Sequence, residues 1–145
     1  MGVALAVVLS NFGAAYGTAK AGVGIGSMAV TKPSLVYKSL VPVVMAGILG
    51  IYGLIVSVIL AGKVKAENSS SYVQFKLLTS GLCVGISSVA AGYAIGIVGD
   101  TGVRANAINE DMFVAMILMM IFGEAIGLYG LIVAIIMSQV DVASG

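Results

Sequence analysis

The stretch IFGEAIGLYGLIVAIIM, residues 121–137, holds one carboxylate, Glu124, and no other formal charge. From Met112 to Gln139 the sequence offers it no partner of opposite sign. An ionised side chain in the middle of an apolar span costs at least ~2.5–3.5 kcal/mol. Counted from Met112 at ~1.5 Å per residue, Glu124 lies about 18 Å along a helix, close to the midplane of a ~30 Å hydrocarbon layer. At that depth desolvation favours the neutral acid, whereas the anion needs water or a cation. Such a group is a proton switch: it holds a proton while facing lipid and gives it up where a polar path or a fixed positive charge is offered. The seven basic residues stand at 20, 32, 38, 63, 65, 76 and 104, at or towards the span ends. The discharging cation is therefore expected from another protein.

The rest of the chain exists to hold that group at depth. Of 145 residues, 60% are hydrophobic and 9% charged, with a mean hydropathy of +1.15. Soluble domains carry roughly a quarter of charged residues, so this composition is that of a membrane protein. Four apolar stretches, about 2–30, 39–61, 73–99 and 112–139, each exceed the ~20 residues that cross a bilayer as a helix. They lack the alternation of a barrel strand, and helices satisfy their own backbone in lipid. The first stretch has no basic start and runs on past Lys20, which reads as a mature helix and not a signal peptide. Pro33 and Pro42 punctuate the link before the second helix, where proline is tolerated at a helix start.

Several function classes fall away. Little sequence remains for a soluble catalytic domain. GVGIGS, residues 22–27, lacks the Gly-Lys-Ser/Thr that completes a phosphate loop, so no ATP site is legible. Cys83 is the single cysteine and there is no histidine, which leaves neither an intrachain disulfide nor a multi-cysteine metal site. No cofactor is implied. A net charge of +1 gives no reason to expect nucleic acid. The acceptor pattern Asn68-Ser69-Ser70 stands too near two spans for glycosylation to be expected.

Sliding the sequence against itself by 77 positions lays GIYGLIVSVIL (50–60) on GLYGLIVAIIM (127–137), with seven identities in eleven. The same offset lays Tyr16 on Tyr93 and Gly22 on Gly99. The chain reads as one membrane domain, a helical hairpin duplicated over about 1–65 and 73–142; internal repeats are common in transport folds. Glu124 falls on Gly47, so one half keeps the carboxylate and the other lacks it.

Small residues recur at spacings of three and four on the first and third helices: Ser10, Ala14, Gly17, Ala21, Gly24 and Ser27, then Gly81, Gly85, Ser88, Gly92, Gly96 and Gly99. Such stripes let backbones approach closely where packing replaces the hydrophobic effect. Their presence on these two helices predicts an inner wall of crowded helices. Gly17 and Gly92, with Gly127 in the repeated motif of the fourth helix, are the expected packing positions.

The strings GAAYGTAKAGVGIG, VPVVMAGILGIYGLIVSVILAG, GYAIGIVGDTGVR and FGEAIGLYGLIVAIIM resemble the proteolipid c-type subunits of vacuolar H+-ATPases, from Gly2 to Met137. The resemblance implies an all-α membrane fold of four transmembrane helices, assembled with copies of itself or related proteolipids into a rotor ring. Helices 1 and 3 would form the inner wall and helices 2 and 4 the outer. It implies that Glu124 carries the proton, that Tyr52 is a neighbour across the interface between ring members, and that an arginine of the a-type stator subunit discharges the acid. ATP would be hydrolysed by a peripheral sector coupled through central-stalk subunits. It places the chain in a vacuolar or other endomembrane with both termini lumenal. Family members carry a further stretch before the position of Gly2, and a proline and a basic residue where this chain has Glu110 and Asp111. A small proton-coupled secondary antiporter using Glu124 is the alternative, and a purely structural pore would leave Glu124 unexplained.

Overall fold

The computed structural model describes residues 1–64 and 70–139; Lys65, Glu67, Asn68, Ser69 and Asp141 lie outside the described residues. Four helices follow in order: α1 (Gly2–Thr31), α2 (Val41–Lys63), α3 (Ser71–Ile108) and α4 (Met112–Ser138). Each is long and apolar enough to cross a membrane. Two short 3-10 turns, Pro33–Leu35 and Lys38–Leu40, join α1 to α2. Pro42 occupies the first turn of α2, where its missing N–H costs nothing. The Ser70 side chain caps α3, accepting from the Val73 N–H at 3.4 Å.

The third helix departs from the sequence reading. Hydropathy ends it near residue 99, yet it continues to Ile108. Asp100 and Arg104, which read as link residues, stand one turn apart and pair at 3.0 Å, a spacing that supports helix. At ~1.5 Å per residue the 38 residues of α3 exceed the ~30 Å hydrocarbon layer by several turns. The charged turns of α3 thus reach past the layer as helix.

The helices form two hairpins, α1 with α2 and α3 with α4, standing side by side, and α1 and α3 make the most extensive contact. Their stripes of small residues face each other within one chain. A Cβ on Gly17 would stand 2.9 Å from the Gly92 carbonyl oxygen, and one on Gly96 would stand 3.0 Å from Cα of Gly17. The stripes are therefore consumed inside the chain and are not left free for a crowd of neighbours. Ser27, at the end of the first stripe, is exposed and bonds to its own helix through the Val23 carbonyl at 3.0 Å.

The outer helices carry small stripes too, which corrects the expectation that only α1 and α3 do. Ala46, Gly50 and Gly53 seat α2 on α1, and Gly123, Gly127 and Gly130 seat α4 on α3. The contacts repeat between halves: Gly53 packs on Ser10 as Gly130 packs on Ser87. Ser57 donates from α2 to the Val3 carbonyl on α1 at 2.8 Å, and Ser80 donates from α3 to the Ala134 carbonyl on α4 at 2.6 Å. Val3 and Ser80 are 77 positions apart, as are Ser57 and Ala134. The same junction is bonded twice with the donor exchanged.

Candidate functional site

Glu124 is the thirteenth of the 27 residues of α4, at the middle of the span. It follows Gly123, which faces Ile95 and Ala94 of α3. One turn further, Gly127 leaves room for α2: a Cβ there would stand 2.5 Å from Cδ2 of Leu49 and 3.6 Å from Cδ2 of Tyr52. The Tyr52 ring thereby lies over α4 beside the acid, and its hydroxyl is the polar group that interacts with the Glu124 carboxyl. Tyr52 packs against both apolar clusters of the core, the one around Leu49, Ile95 and Met120 and the one around Val56, Val84 and Leu131. Its position at the acid is set by packing on both sides along the bundle.

Two expectations change here. The resemblance places Tyr52 across an interface between ring members, whereas here its ring lies beside Glu124 of its own chain, where Gly127 lets α2 come close. The sequence has the carboxyl facing lipid, but the chain itself shields both of its oxygens, while the residue as a whole is half-buried. Neither oxygen has a partner in full hydrogen-bond geometry, and the Tyr52 hydroxyl is the polar group near enough to approach one. An uncompensated buried carboxylate is far costlier than a neutral carboxyl, so this arrangement suits the protonated group.

Four of the described cations are engaged elsewhere. Arg104 pairs with Asp100, Lys38 lies 4.3 Å from the ring centre of Phe113, and Lys63 donates to the Ser138 carbonyl at the end of α4 at 2.6 Å. Lys76 stands over the Tyr72 ring. Lys20 is half-buried on α1 with its Cβ against Gly96. None of these contacts reaches Glu124. The Ser87 side chain packs on Gly130, and the Ser88 carbonyl faces Gly13 of α1 while its hydroxyl is buried without a hydrogen-bond partner. Among the described residues no cluster of acidic or cysteine side chains is arranged for a metal.

Of the sequence-level candidates, the structure brings Glu124, Tyr52 and Gly127 together. Gly17 and Gly92 lie apart from the acid, in the α1–α3 contact. Leu49 and Gly123 are wall residues of the site that sequence reasoning missed. The signal was present in the spacing of Gly123, Gly127 and Gly130, and in its counterpart Ala46, Gly50 and Gly53.

Comparison with known proteins adds to this geometry. The family model for the C subunit of ATP synthase matches twice, over residues 1–60 and 78–137, so both ends of the match move by 77 positions. The chain is 55% identical over 138 residues to the 16 kDa proteolipid of the V-type proton ATPase of Ovis aries, covering 95% of this chain and 88% of the relative. It is 57% identical over 136 residues to the 16 kDa proteolipid of the same name from Nephrops norvegicus, covering 93% and 86%. It is 54% identical over 139 residues to the corresponding V-type proton ATPase protein of Candida tropicalis, covering 96% and 86%.

Proposed function

This chain belongs to the family of ATP synthase C subunits, and from that premise we propose that it is a proton-carrying rotor-ring subunit of a V-type proton ATPase, with Glu124 as the carrier. The observation that supports this reading is a lone carboxyl at mid-span, shielded by its own chain and lacking a bonded partner. Tyr52 and the α2 wall hold the acid in a dry place while it is neutral. To lose the proton the carboxyl must meet water or a fixed cation, and no contact of a described cation in this chain reaches it. An arginine of the a-type stator subunit fills that role. The antiporter alternative has no support from relatives matched over nearly the whole chain.

In this reading the chain hydrolyses nothing. ATP is consumed by a peripheral sector, and central-stalk subunits turn a ring of these chains past the stator. The ring lies in a vacuolar or other endomembrane with the termini lumenal, so the α1–α2 link and the α3–α4 link with the overhanging turns of α3 face the cytosol.

The test is Glu124→Gln in the assembled complex. The amide matches the neutral acid in shape and releases no proton, so ring assembly is retained and ATP-driven acidification of vesicles is lost. Glu124→Asp keeps partial transport, because the chemistry remains and only the reach shortens. Normal acidification by the Gln variant would sink the assignment.

A further inference from the structure

The shielding of the acid depends on α2 staying against α4, yet α2 touches α4 less extensively than it touches α1 or α3. Against α1 it is seated by close glycine contacts: a Cβ on Gly53 would overlap the Ser10 side chain, and one on Gly50 would stand 2.7 Å from the Asn11 side-chain oxygen. Against α4, Gly127 receives the Leu49 and Tyr52 side chains. Each end of α2 then carries a lysine that reaches α4. Lys38, in the 3-10 turn leading into α2, holds its ammonium 4.3 Å from the ring centre of Phe113, the second residue of α4. Lys63, the last residue of α2, donates to the carbonyl oxygen of Ser138, the last residue of α4, at 2.6 Å.

Both contacts suit a cation. The Ser138 carbonyl lies in the last turn of a helix, where no intrahelical N–H remains for it and the helix dipole favours positive charge. Phe113 packs on the core cluster that includes Met116 and Met120, so the ring beside Lys38 is fixed. A cation over an aromatic face is held most firmly where water is scarce. The repeat makes these ties one-sided. At the offset of 77, Lys38 falls on Ala115 and Lys63 on Val140, while Phe113 and Ser138 fall on Val36 and Ala61. The hairpin without the acid carries the lysines, and the hairpin with the acid supplies their partners. Tyr52 is the twelfth of the 23 residues of α2, midway between the two ties.

We infer that Lys38 and Lys63 are positioning residues: they hold α2 to α4 at both ends and so keep Tyr52 beside the Glu124 carboxyl, with Leu49 packed on Gly127. This rests on the carrier reading above and adds what keeps the carrier dry. A helix tied at one end swings about that end and carries its middle away. Tied at both ends, it keeps its middle in place. Loss of either tie lets water reach the carboxyl oxygens that the chain shields.

The experiment uses assembled complexes in membranes and follows the rate at which a carbodiimide labels Glu124 at a fixed, mildly acidic pH, read by mass spectrometry and normalised to intact rings. Methionine keeps much of the length and apolar stem of lysine and removes the charge. Lys38→Met and Lys63→Met should each speed labelling a few-fold, and the two together should do so more than either. Lys38→Arg and Lys63→Arg should restore the wild-type rate, since a guanidinium also lies over rings and donates to carbonyls. Lys76→Met is the control: Lys76 stands over Tyr72 of its own helix, and its loss should leave the rate unchanged. A wild-type rate in intact rings of the double variant would overturn the inference, and so would an equal acceleration by Lys76→Met. Should the double variant not assemble, Phe113→Leu tests the first tie from its other side. It should speed labelling as Lys38→Met does, and Lys38→Met should add nothing to it. Fully additive effects of these two substitutions in intact rings would overturn that tie. These outcomes judge the lysines alone; the carrier assignment stands or falls with Glu124→Gln.

Discussion

Gly92 and Gly13 face each other so closely that a Cβ on Gly92 would overlap the carbonyl oxygen of Gly13. The obstacle is backbone, which cannot turn aside. At Gly17 an added Cβ would stand 2.9 Å from both the Ala46 Cβ and the Gly92 carbonyl oxygen. At Gly127 the nearest atom is the tip of a leucine side chain, at 2.5 Å. Substitution to alanine should therefore hurt most at Gly92, less at Gly17 and least at Gly127. Overpacking costs about 1–3 kcal/mol per site, and leucine should exceed alanine at each. Thermal unfolding of the purified variants in detergent checks the order; equal losses at Gly92 and Gly127 would contradict it.

Tyr52→Phe removes the hydroxyl beside Glu124 and leaves the ring that packs on Gly127 and both core clusters. Assembly should survive. Proton transport should fall by a few-fold and not vanish, since a net polar interaction of this kind is worth about 1 kcal/mol. Tyr52→Ala should instead disturb packing as well, losing ring yield. Vesicle acidification normalised to assembled complex separates the two; an unchanged rate in the Phe variant would remove Tyr52 from the site.

How much of this is legible without the structure depends on the kind of signal. Glu124 needs no structure, because one carboxyl among apolar residues stands out by composition alone. The duplicated hairpin is equally plain, since a fixed offset of 77 aligns long strings. The end of α3 is not, because Asp100 and Arg104 look like a polar link until their spacing is read as a helical ion pair. The partners of the stripes are hidden for another reason. A small face states that a helix is approached closely, but it does not say by which helix. The same gap puts Tyr52 across a boundary between chains, although Gly127 leaves room for Leu49 and Tyr52 of α2 to lie against α4 within one chain.

The carried ion should be H+ and not Na+. A sodium ion trades its hydration shell for several oxygens, while a proton needs one carboxyl. Around Glu124 the side-chain oxygen from α2 is that of Tyr52, the Ser87 side chain of α3 packs against Gly130, and one further hydroxyl, that of Ser88, would still fall short of the several oxygens sodium needs. Carbodiimide labelling of Glu124 at neutral pH should be unaffected by added sodium chloride beyond the effect of equal potassium chloride. Selective protection by sodium would show a coordination site that these side chains do not form.

The last expectation concerns the glycine that stands where the repeat would put a second acid. Gly47 is exposed, and nothing lies within 4 Å of a Cβ placed on it, so packing alone does not exclude a larger residue. Its absence of charge is therefore a matter of function. One carboxyl per four helices halves the protons moved per turn relative to a ring with an acid on each hairpin. The same hydrolysis energy is then divided among fewer ions, and each can be driven up a steeper gradient, as acidification of a compartment requires. Carbodiimide should label one site per chain, Glu124, with Asp100 spared because Arg104 engages it at 3.0 Å. Mass spectrometry of proteolytic fragments reads this directly. Gly47→Glu should assemble, gain a second labelled site and lower the limiting pH gradient that the pump sustains. A variant that moved twice the protons per turn and still reached the wild-type gradient would refute this account of the missing acid.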